Sequence, residues 1–454
     1  MSGSQVSPER RAVGGLAPRK LALGILLDYS RRDAFLNALM AYALSSTGLE
    51  RRDRAFVSEL VRGTVERLLS LDYALSGFSS RSLESLYPPV LWTLRMGAFQ
   101  LMYMDVPAYA AIDTSVELLK RAAGAGAASF CNGVLRALER GKNGIEWPTR
   151  DEDPLRYMEV VHSHPAWVVR MWIEELGGEK AESLCRADNL SRPLSVRVNL
   201  QKTDRALVTE SLRAGSIEVE ESRLAFEGLL LKGAGGVATL AEYDEGLISI
   251  QDQGSMVVGR AVGARPGMSV LDMCAAPGGK ANHLCELMGN EGRVLAVDIN
   301  ENRLGLALEA ARRLGNSSLD TMVADATKIT SLVDDRFDRV IIDAPCTGLG
   351  VLGRKPDARW RRGPDDVRRL AELQSELIDE GARMLKPDGI LVYSTCTISR
   401  TENEGNVERF LESNREFEPS SLDGFPGWDG RYLKLFGDTH GCDGMFACAL
   451  KRRV

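Results

Sequence analysis

The stretch Asp272-Met273-Cys274-Ala275-Ala276-Pro277-Gly278-Gly279-Lys280 decides the fold of this chain. It follows a short apolar run that begins at Met268, and it precedes a segment with the pattern of a helix. A strand, a glycine turn and a helix in this order are typical of the place where an open α/β sheet binds a nucleotide-like ligand. The stretch therefore predicts a cofactor-binding turn at the carboxyl end of a strand.

The pattern of strand, loop and helix repeats from about Gln251 onward. Five apolar runs are predicted to be strands: Ser269–Asp272, Val294–Asp298, Met322–Ala324, Arg339–Asp343 and Ile390–Ser394. Helices are predicted between them, for example at 303–314 and 365–385, and two final strands at 432–436 and 445–451 are predicted to pair antiparallel. Such alternation is typical of a mainly parallel sheet with helices on both faces, so residues 251–454 are predicted to form a Rossmann-like α/β catalytic domain.

The part of the chain before this domain has a different pattern. Residues 18–141 are predicted to form an all-α bundle, because apolar residues recur at steps of three and four, as in Val57, Leu60, Val61 and Val65. Residues 1–17 are polar and are predicted to be a disordered tail. A polar linker leads to residues 155–250, where short β-like runs and helices predict a small α+β module.

Composition is that of a soluble multidomain protein. The 454 residues are 44% hydrophobic and 26% charged, and no apolar run reaches the roughly 18–20 residues of a membrane span. The eight cysteines form no CxxC pair, and the four histidines make no zinc spacing with them. We therefore expect free thiols, no metal site, no membrane segment and a cytoplasmic location.

Charge is distributed unevenly along the chain, whose net charge is −6. Residues 1–150 carry a net charge of +5, and the remainder carries −11. A basic front module could hold RNA, because phosphate binding depends on local patches rather than on the total charge. Ordinary variation of surface charge explains the same numbers equally well.

Four acidic residues at the predicted strand ends indicate the kind of cofactor: Asp272, Asp298, Asp325 and Asp343. Asp298, 20 residues after Gly278, is placed to bind ribose hydroxyls, and Asp325 is placed to reach an adenine amino group. The turn lacks the G-x-G-x-x-G pattern that holds a pyrophosphate. S-adenosylmethionine has no phosphate and carries a positive sulfonium, so it suits an acidic pocket better than NAD does. Any one of these acids could instead be a helix cap or a turn residue.

Two cysteines, Cys346 and Cys396, follow the fourth and fifth predicted strands. In a sheet of order 3-2-1-4-5 these strands are neighbours, so both sulfurs could face one substrate atom. A thiolate has a specific use in cytosine methylation, because its addition to carbon 6 lets carbon 5 attack a sulfonium methyl. Asp343 could hydrogen-bond the ring edge. Cys274 is expected to shape the cofactor turn, and the other cysteines are interpreted as small buried hydrophobes.

Three motifs together resemble those of RNA cytosine-C5 methyltransferases of the Sun/Nop type: APGGK (276–280), DAPCTGLG (343–350) and STCTI (394–398). The resemblance implies a class I S-adenosyl-L-methionine-dependent methyltransferase domain. It implies that Cys396 is the nucleophile and that Cys346 aids release of the covalent product, and we count Asp343 with them as catalytic. The residues expected to contact the cofactor are Cys274, Ala275, Ala276, Pro277, Gly278, Gly279, Lys280, Asp298, Arg303, Asp325 and Asp343.

Residues 18–141 resemble the NusB family of RNA-binding helical bundles, most clearly at 130–136. A NusB-like bundle joined to this catalytic core is similar to the bacterial RsmB (Sun/Nop-type) family, which methylates carbon 5 of a cytosine in 16S ribosomal RNA. The similarity implies that residues 155–250 form a module like an RNA-recognition motif, although the aromatic stacking signature is missing there. We expect a monomer that acts on unassembled or partly assembled 16S ribosomal RNA.

Other functions stay open. The same chemistry could act on transfer RNA, or the chain could be a non-catalytic RNA-binding assembly factor that retained the fold. The intact pair of Cys346 and Cys396 argues against the second of these. An amino-methyltransferase is a further alternative, but the chain lacks a proline-proline-aromatic motif after Asp343.

A run of cations around one indole follows the first of the two cysteines: Arg354, Lys355, Arg359, Trp360, Arg361 and Arg362. It is predicted to contact RNA through phosphates and base stacking, with a solvated surface loop as the alternative. A second basic cluster, Arg51, Arg52 and Arg54, lies at a predicted helix start. Positive charge at a helix start is mildly unfavourable, because the helix dipole favours acids there. A role in RNA binding would explain this cluster, so we predict that it contacts RNA.

Overall fold

The computed structural model describes residues 15–32, 34–233 and 236–453, and the chain divides into two compact units. The first unit is the chain up to Asn189 together with Lys355–Arg361, and the second is Leu190–Arg354 together with everything from Arg362 onward. The predicted disordered tail lies outside the described residues apart from its last three. A helix begins at Leu16, so the helical bundle begins before residue 18.

Within the described residues up to Asn189, the first unit is built from helices. They are α1 (Leu16–Arg31), α2 (Leu36–Ser45), α3 (Arg51–Glu66), α4 (Leu68–Ser76), α5 (Pro88–Tyr103), α6 (Ala108–Gly141), α7 (Pro154–Val161), α8 (Ala166–Leu176) and α9 (Gly178–Asp188). The four apolar residues that marked the period of α3 are all fully buried, as a helix with one apolar face requires. α6 is broken at Gly124, whose φ of 85° is left-handed and interrupts the helical backbone.

The helices α7, α8 and α9 belong to the first unit, whereas the sequence placed them at the start of the small module. Ser70 Oγ of α4 donates a hydrogen bond to the carbonyl of Val160 (2.6 Å). The N–H of Leu69 donates to Ser163 Oγ (3.0 Å). These buried polar contacts attach α7 and the turn after it to α4, which periodicity within a segment does not reveal.

The segment Lys355–Arg361 also packs in the helical unit, although it is distant from it in sequence. Trp360 donates its indole N–H to the carbonyl of Val65 (2.7 Å). Arg359 is fully buried and donates to the carbonyl of Ser163 (2.9 Å). The prediction of RNA contact is therefore wrong for Arg359 and Trp360, and so is the alternative of a solvated loop, because both side chains satisfy carbonyls of the helical unit.

The second unit contains two sheets. The smaller is antiparallel with the order β2-β3-β1-β4. Its elements are β1 (Leu194–Val198), α10 (Arg205–Ala214), β2 (Glu218–Glu221), β3 (Gly228–Lys232), α11 (Ala241–Asp244) and β4 (Ile248–Ile250). Asp204 caps α10 by accepting the N–H of Leu207 (2.9 Å). The predicted β-like runs of the small module are confirmed.

The larger sheet carries the three motifs. Its elements in chain order are α12 (Gln253–Ala261), β5 (Ser269–Asp272), α13 (Gly279–Leu287), β6 (Arg293–Asp298), α14 (Glu301–Leu314), β7 (Leu319–Val323), β8 (Phe337–Asp343), α15 (Pro364–Arg383), β9 (Leu385–Thr395), α16 (Glu404–Ser413), β10 (Phe417–Ser420), β11 (Leu433–Leu435), α17 (Gly437–His440) and β12 (Met445–Arg452). The strand order is β10-β12-β9-β8-β5-β6-β7, with β11 paired to β12.

The first five strands of this sheet are parallel and have the predicted order 3-2-1-4-5. The closing strand β12 pairs antiparallel with β9 and β11. Asp272 pairs in register with Ile341, and Asp343 pairs with Ser394. The carboxyl ends of β5, β8 and β9 therefore meet at one edge of the sheet, which brings the three motifs together.

None of the helices in the part of the chain that the structure describes is long and apolar enough to cross a membrane.

Candidate active site

The turn between β5 and α13 depends on one glycine. Gly278 has a φ of 95°, and a Cβ placed on it would lie 2.3 Å from the Cβ of Ala307 on α14. Its N–H donates to the carbonyl of Ala275 (2.6 Å). Both the left-handed backbone and the close helix exclude any larger residue here.

Asp298 and Arg303 hold this turn from the neighbouring strand and helix. The carboxylate of Asp298, at the end of β6, accepts the N–H groups of Ala276 (3.0 Å) and Asn300 (2.9 Å). Arg303 of α14 donates to the carbonyl of Ala276 (2.7 Å). Each oxygen of Asp298 keeps a lone pair for a ligand, so its roles as loop brace and as ribose-binding group are compatible.

Asp325 follows β7 and caps the turn after it. It accepts the N–H (3.1 Å) and the hydroxyl (2.7 Å) of Thr327, and these hydrogen bonds lower the pKa of Asp325. Its side chain is 43% exposed. The alternative interpretation of a strand-end acid as a turn residue is thus correct for Asp325, although its exposed carboxylate is still able to accept from a ligand.

Asp272, Asp343 and Lys280 form a charged cluster at the ends of β5 and β8. Burial, together with the charge of Asp343, raises the pKa of Asp272 to about 7. Lys280 Nζ lies 2.7 Å from Asp343 Oδ2. Burial alone would lower the pKa of Lys280, but the pairing with Asp343 raises it. Lys280 is therefore cationic and compensates part of the acidic charge.

These residues fit a cationic, adenosine-bearing cofactor. Both carboxylate oxygens of Asp272 are buried without a hydrogen bond of normal geometry to any described residue. A buried acceptor that lacks a donor is costly, and a ligand hydroxyl or amino group would satisfy it. Together with Asp298 and Asp325, Asp272 offers acceptors for the ligand's hydroxyl and amino groups, and the negative charge of these acids suits a positive sulfonium. The thiol of Cys274 has a pKa raised well above its ordinary value by burial and by these acids, so it stays protonated in the turn.

The two motif cysteines are brought together. Cys346 Sγ, after β8, lies 3.3 Å from Cys396 Sγ, after β9. The hydrogen bond to Cys396, reinforced by burial, raises the pKa of Cys346 far above its ordinary value. Asp343 is the last residue of β8, shortly before Cys346 in the chain. Its Oδ1 accepts from Ser394 Oγ of β9 (3.1 Å), shortly before Cys396. The structure therefore places the three residues predicted to be catalytic at one edge of the sheet.

Sequence reasoning missed a buried carboxylate behind this pair. Glu402 has no exposed surface and accepts hydrogen bonds from the N–H (2.9 Å) and the hydroxyl (2.5 Å) of Thr347. Glu402 lies shortly after the STCTI motif in the sequence, which could have marked it as a candidate. Its position in the sequence does not reveal that it binds Thr347.

The contacts of Arg197 on β1 were not predicted from the sequence. It is buried and donates to the carbonyl of Gly279 at the start of α13 (3.0 Å). It also pairs with Glu286 of the same helix (2.6 Å). The small sheet thus supports the helix that carries the cofactor turn.

Arg354 was predicted to contact RNA. Its guanidinium instead pairs with Asp252 (2.8 Å) and Asp443 (3.0 Å), and burial with the charge of Asp252 raises the pKa of Asp443 to about 7. Arg354 is therefore committed to an ion-pair cluster within the second unit. The basic cluster Arg51, Arg52 and Arg54 does lie at the start of α3, and its role in RNA binding stays a prediction.

A parallel sheet of order 3-2-1-4-5 with an antiparallel closing strand, a glycine turn after the first strand and an acid after the second define the class: a class I, Rossmann-like methyltransferase domain. Three family models match in agreement with this class. They are 16S rRNA methyltransferase RsmB/F over residues 261–451, the NusB family over 16–140, and the RsmF/B-like ferredoxin-like domain over 164–238.

Full-length relatives give the same result. The probable ribosomal RNA small subunit methyltransferase B of Bacillus subtilis (strain 168) is 38% identical over 446 residues, which cover 96% of this chain and 98% of the relative. The ribosomal RNA small subunit methyltransferase B of Vibrio cholerae is 31% identical, over 88% of this chain and 90% of the relative. The chain belongs to the 16S rRNA methyltransferase RsmB/F family.

Solved structures share the architecture. The crystal structure of PH0851 matches with a TM-score of 0.82 and 25% identity, over 96% of this chain and 99% of that one. A methyltransferase homolog protein from Pyrococcus horikoshii matches with a TM-score of 0.59 and 28% identity, over 66% of this chain and 99% of that one. The predicted fold, with its NusB-like, ferredoxin-like and methyltransferase parts, is confirmed, and S-adenosyl-L-methionine is the methyl donor of this class.

Proposed function

We propose that this chain transfers a methyl group from S-adenosyl-L-methionine to carbon 5 of a cytosine in 16S ribosomal RNA. The reaction passes through a covalent bond between Cys396 and carbon 6 of the base. The observation that carries the proposal is the distance of 3.3 Å between the sulfurs of Cys346 and Cys396, next to an acidic cofactor turn. Two thiols at the ends of neighbouring strands can act on the same pyrimidine ring.

The cofactor would be held by the turn Cys274–Lys280, with Asp298 binding the ribose hydroxyls and Asp325 the adenine amino group. Arg303 supports the turn through the carbonyl of Ala276. When bound, S-adenosyl-L-methionine supplies an electrophilic methyl group. The acids around the turn stabilise its positive charge.

Cys396 forms the first bond. Its thiolate adds to carbon 6, and the electron pair of the 5,6 double bond shifts so that carbon 5 becomes nucleophilic. Asp343, held by Lys280 and Ser394, accepts a hydrogen bond from the amino group of the cytosine and so orients the ring. The base must leave its stack to reach the thiol, which favours an unassembled or partly assembled stretch of 16S ribosomal RNA.

Release reverses the first bond. Once carbon 5 has bonded to the methyl group and S-adenosyl-L-homocysteine has formed, carbon 5 gives its proton to a base. The electron pair of that C–H bond restores the 5,6 double bond, and Cys396 departs as a thiolate. The thiol of Cys346, 3.3 Å from the sulfur of Cys396, assists this step. Loss of Cys346 would therefore leave the protein bound to methylated RNA.

Bisulfite sequencing tests the substrate. Cells that lack this chain should lose one protected cytosine in 16S ribosomal RNA, and the wild-type chain should restore it while a Cys396→Ala chain does not. The purified Cys396→Ala variant should bind S-adenosyl-L-methionine as the wild type does, since Cys396 is not among the residues of the cofactor turn. Protection that disappears from transfer RNA instead would assign the same chemistry to that substrate.

A further inference from the structure

Glu402 lies between β9 and α16, directly behind the two cysteine loops. Its side chain is fully buried, and its oxygens accept the N–H and the hydroxyl of Thr347, the residue after Cys346. A buried carboxylate is costly unless hydrogen bonds compensate it. This carboxylate is therefore tied to the backbone and the side chain of the first cysteine loop.

The same carboxylate reaches the second cysteine loop. Thr397 follows Cys396, and its hydroxyl oxygen lies 2.7 Å from the hydroxyl oxygen of Thr347 and 3.4 Å from Glu402 Oε2. Because each threonine is the immediate neighbour of a cysteine, the hydrogen bonds link the two loops at the points where the thiols emerge.

A cage of neutral side chains fixes Glu402 itself. Gln374 of α15 donates to Glu402 Oε1 (3.1 Å) and to the carbonyl of Pro345 (2.9 Å). The amide oxygen of Gln374 in turn accepts from Tyr393 (3.1 Å) and Asn406 (2.8 Å). Burial raises the pKa of Glu402, and hydrogen bonds from Thr347, Gln374 and Thr397 oppose that rise. These donors favour the ionised carboxylate.

We infer that Glu402 is a positioning residue that holds the two thiols at a fixed separation and keeps the shared proton on Cys346, so that Cys396 is the nucleophile. The inference rests on the proposed function where it calls Cys396 the nucleophile. Which of the two sulfurs carries the proton does not depend on RNA.

The electrostatic reason is the closeness of the groups that face Cys346. They are Tyr393 of β9, Cys396 directly after β9, and Glu402 from the loop before α16. Two thiolates 3.3 Å apart repel each other, so one sulfur keeps its proton. The negative charge of Glu402 acts on Cys346 in the direction that raises its pKa. Cys396 instead interacts electrostatically with the cationic Lys280, which favours a thiolate on Cys396 and the proton on Cys346.

Alkylation of the RNA-free protein tests the inference. Wild type and Glu402→Gln are treated with iodoacetamide between pH 6 and 9, and modification of the Cys346 and Cys396 peptides is followed by mass spectrometry. Because the thiolate is the reactive form, Glu402→Gln should raise the rate at Cys346 about threefold or more at pH 7.5 and shift its pH profile to lower pH. Glu408→Gln, on α16 with a side chain 39% exposed, is the matched control and should behave as the wild type does.

An unchanged ratio of Cys346 to Cys396 modification in Glu402→Gln would overturn the inference. If that variant does not fold, Thr347→Val and Thr347→Ser replace it. The valine removes the hydroxyl and should reproduce the rise at Cys346, while the serine retains it and should restore the wild-type profile. Failure of the proposed function would appear separately, as the absence of a covalent adduct with RNA, while the alkylation result could still hold.

Discussion

At the scale of single residues, most of the candidate site was predicted from the sequence, because its members sit in short motifs at strand ends. Cys346, Cys396, Asp343 and Asp298 lie where the strand-end rule placed them. Glu402 and Arg197 were not predicted as parts of the site, because their function arises from partners far away in the chain. Arg197, for example, contacts Gly279, which lies 82 residues away in the sequence.

Gly278 should tolerate no side chain. Gly278→Ala forces a Cβ to 2.3 Å from that of Ala307 and a non-glycine residue into a φ of 95°, so we expect a loss of roughly 1–3 kcal/mol in the free energy of unfolding. Affinity for S-adenosyl-L-methionine should fall at least tenfold in calorimetry. The control is Gly279→Ala, where a Cβ meets nothing within 4 Å. Equal cofactor affinity and melting temperature in both variants would contradict this account of the turn.

Asp272 should make stability depend on pH. Its pKa in the folded chain is about 7, against an ordinary 3.8. Because the pKa of Asp272 is higher in the folded chain, the protonated side chain contributes fully to the free energy of unfolding below pH 3.8. This contribution, up to about 4 kcal/mol, is lost as the pH rises from 3.8 toward 7. The melting temperature of Asp272→Asn should therefore rise relative to the wild type between pH 5 and 7.5. A constant difference between the two proteins across this range would rule out the buried acid as the cause.

At the scale of secondary-structure elements, the parallel strands β5 to β9 were predicted to within a few residues, because buried parallel strands appear as short apolar runs. The strand β10 and the helix α16 were not predicted. The segment Lys355–Arg361 was assigned to RNA, since its cations and indole have the composition of a nucleic-acid contact. Its actual partners are carbonyls of the helical unit, and composition does not reveal such partners.

Trp360 should therefore act on stability. Trp360→Phe removes the hydrogen bond to the carbonyl of Val65 while keeping an aromatic ring, and about 1 kcal/mol of stability should be lost. Binding of a 16S ribosomal RNA fragment, measured by filter retention, should stay within twofold of the wild type. Arg51→Ala, at an exposed helix start, serves as the comparison for a surface cation. Weaker RNA binding by Trp360→Phe with an unchanged melting temperature would restore the stacking interpretation.

At the scale of the whole molecule, the sequence predicted three kinds of structure in the correct order, and the family models match them in that order. Helices α7 to α9 and a segment from the catalytic half pack in the first unit, whereas the ferredoxin-like family match over residues 164–238 includes α8 and α9. The predicted domain boundaries therefore stay a prediction. Packing of this kind depends on which helix faces contact each other across long sequence separations. The pattern of a single sequence predicts the helices but not these contacts.

The central claim is that Cys396 bonds to the base and that Cys346 is needed to release it. The most direct measurement is denaturing electrophoresis with mass spectrometry of the Cys346→Ala protein after incubation with 16S ribosomal RNA and S-adenosyl-L-methionine, with Cys131→Ala, a buried cysteine of the helical unit, as the control. We predict a protein–RNA adduct that maps to Cys396 in Cys346→Ala and disappears in the Cys346→Ala/Cys396→Ala double variant. A Cys346→Ala protein that turns over normally without an adduct, or an adduct that persists without Cys396, would contradict the claim.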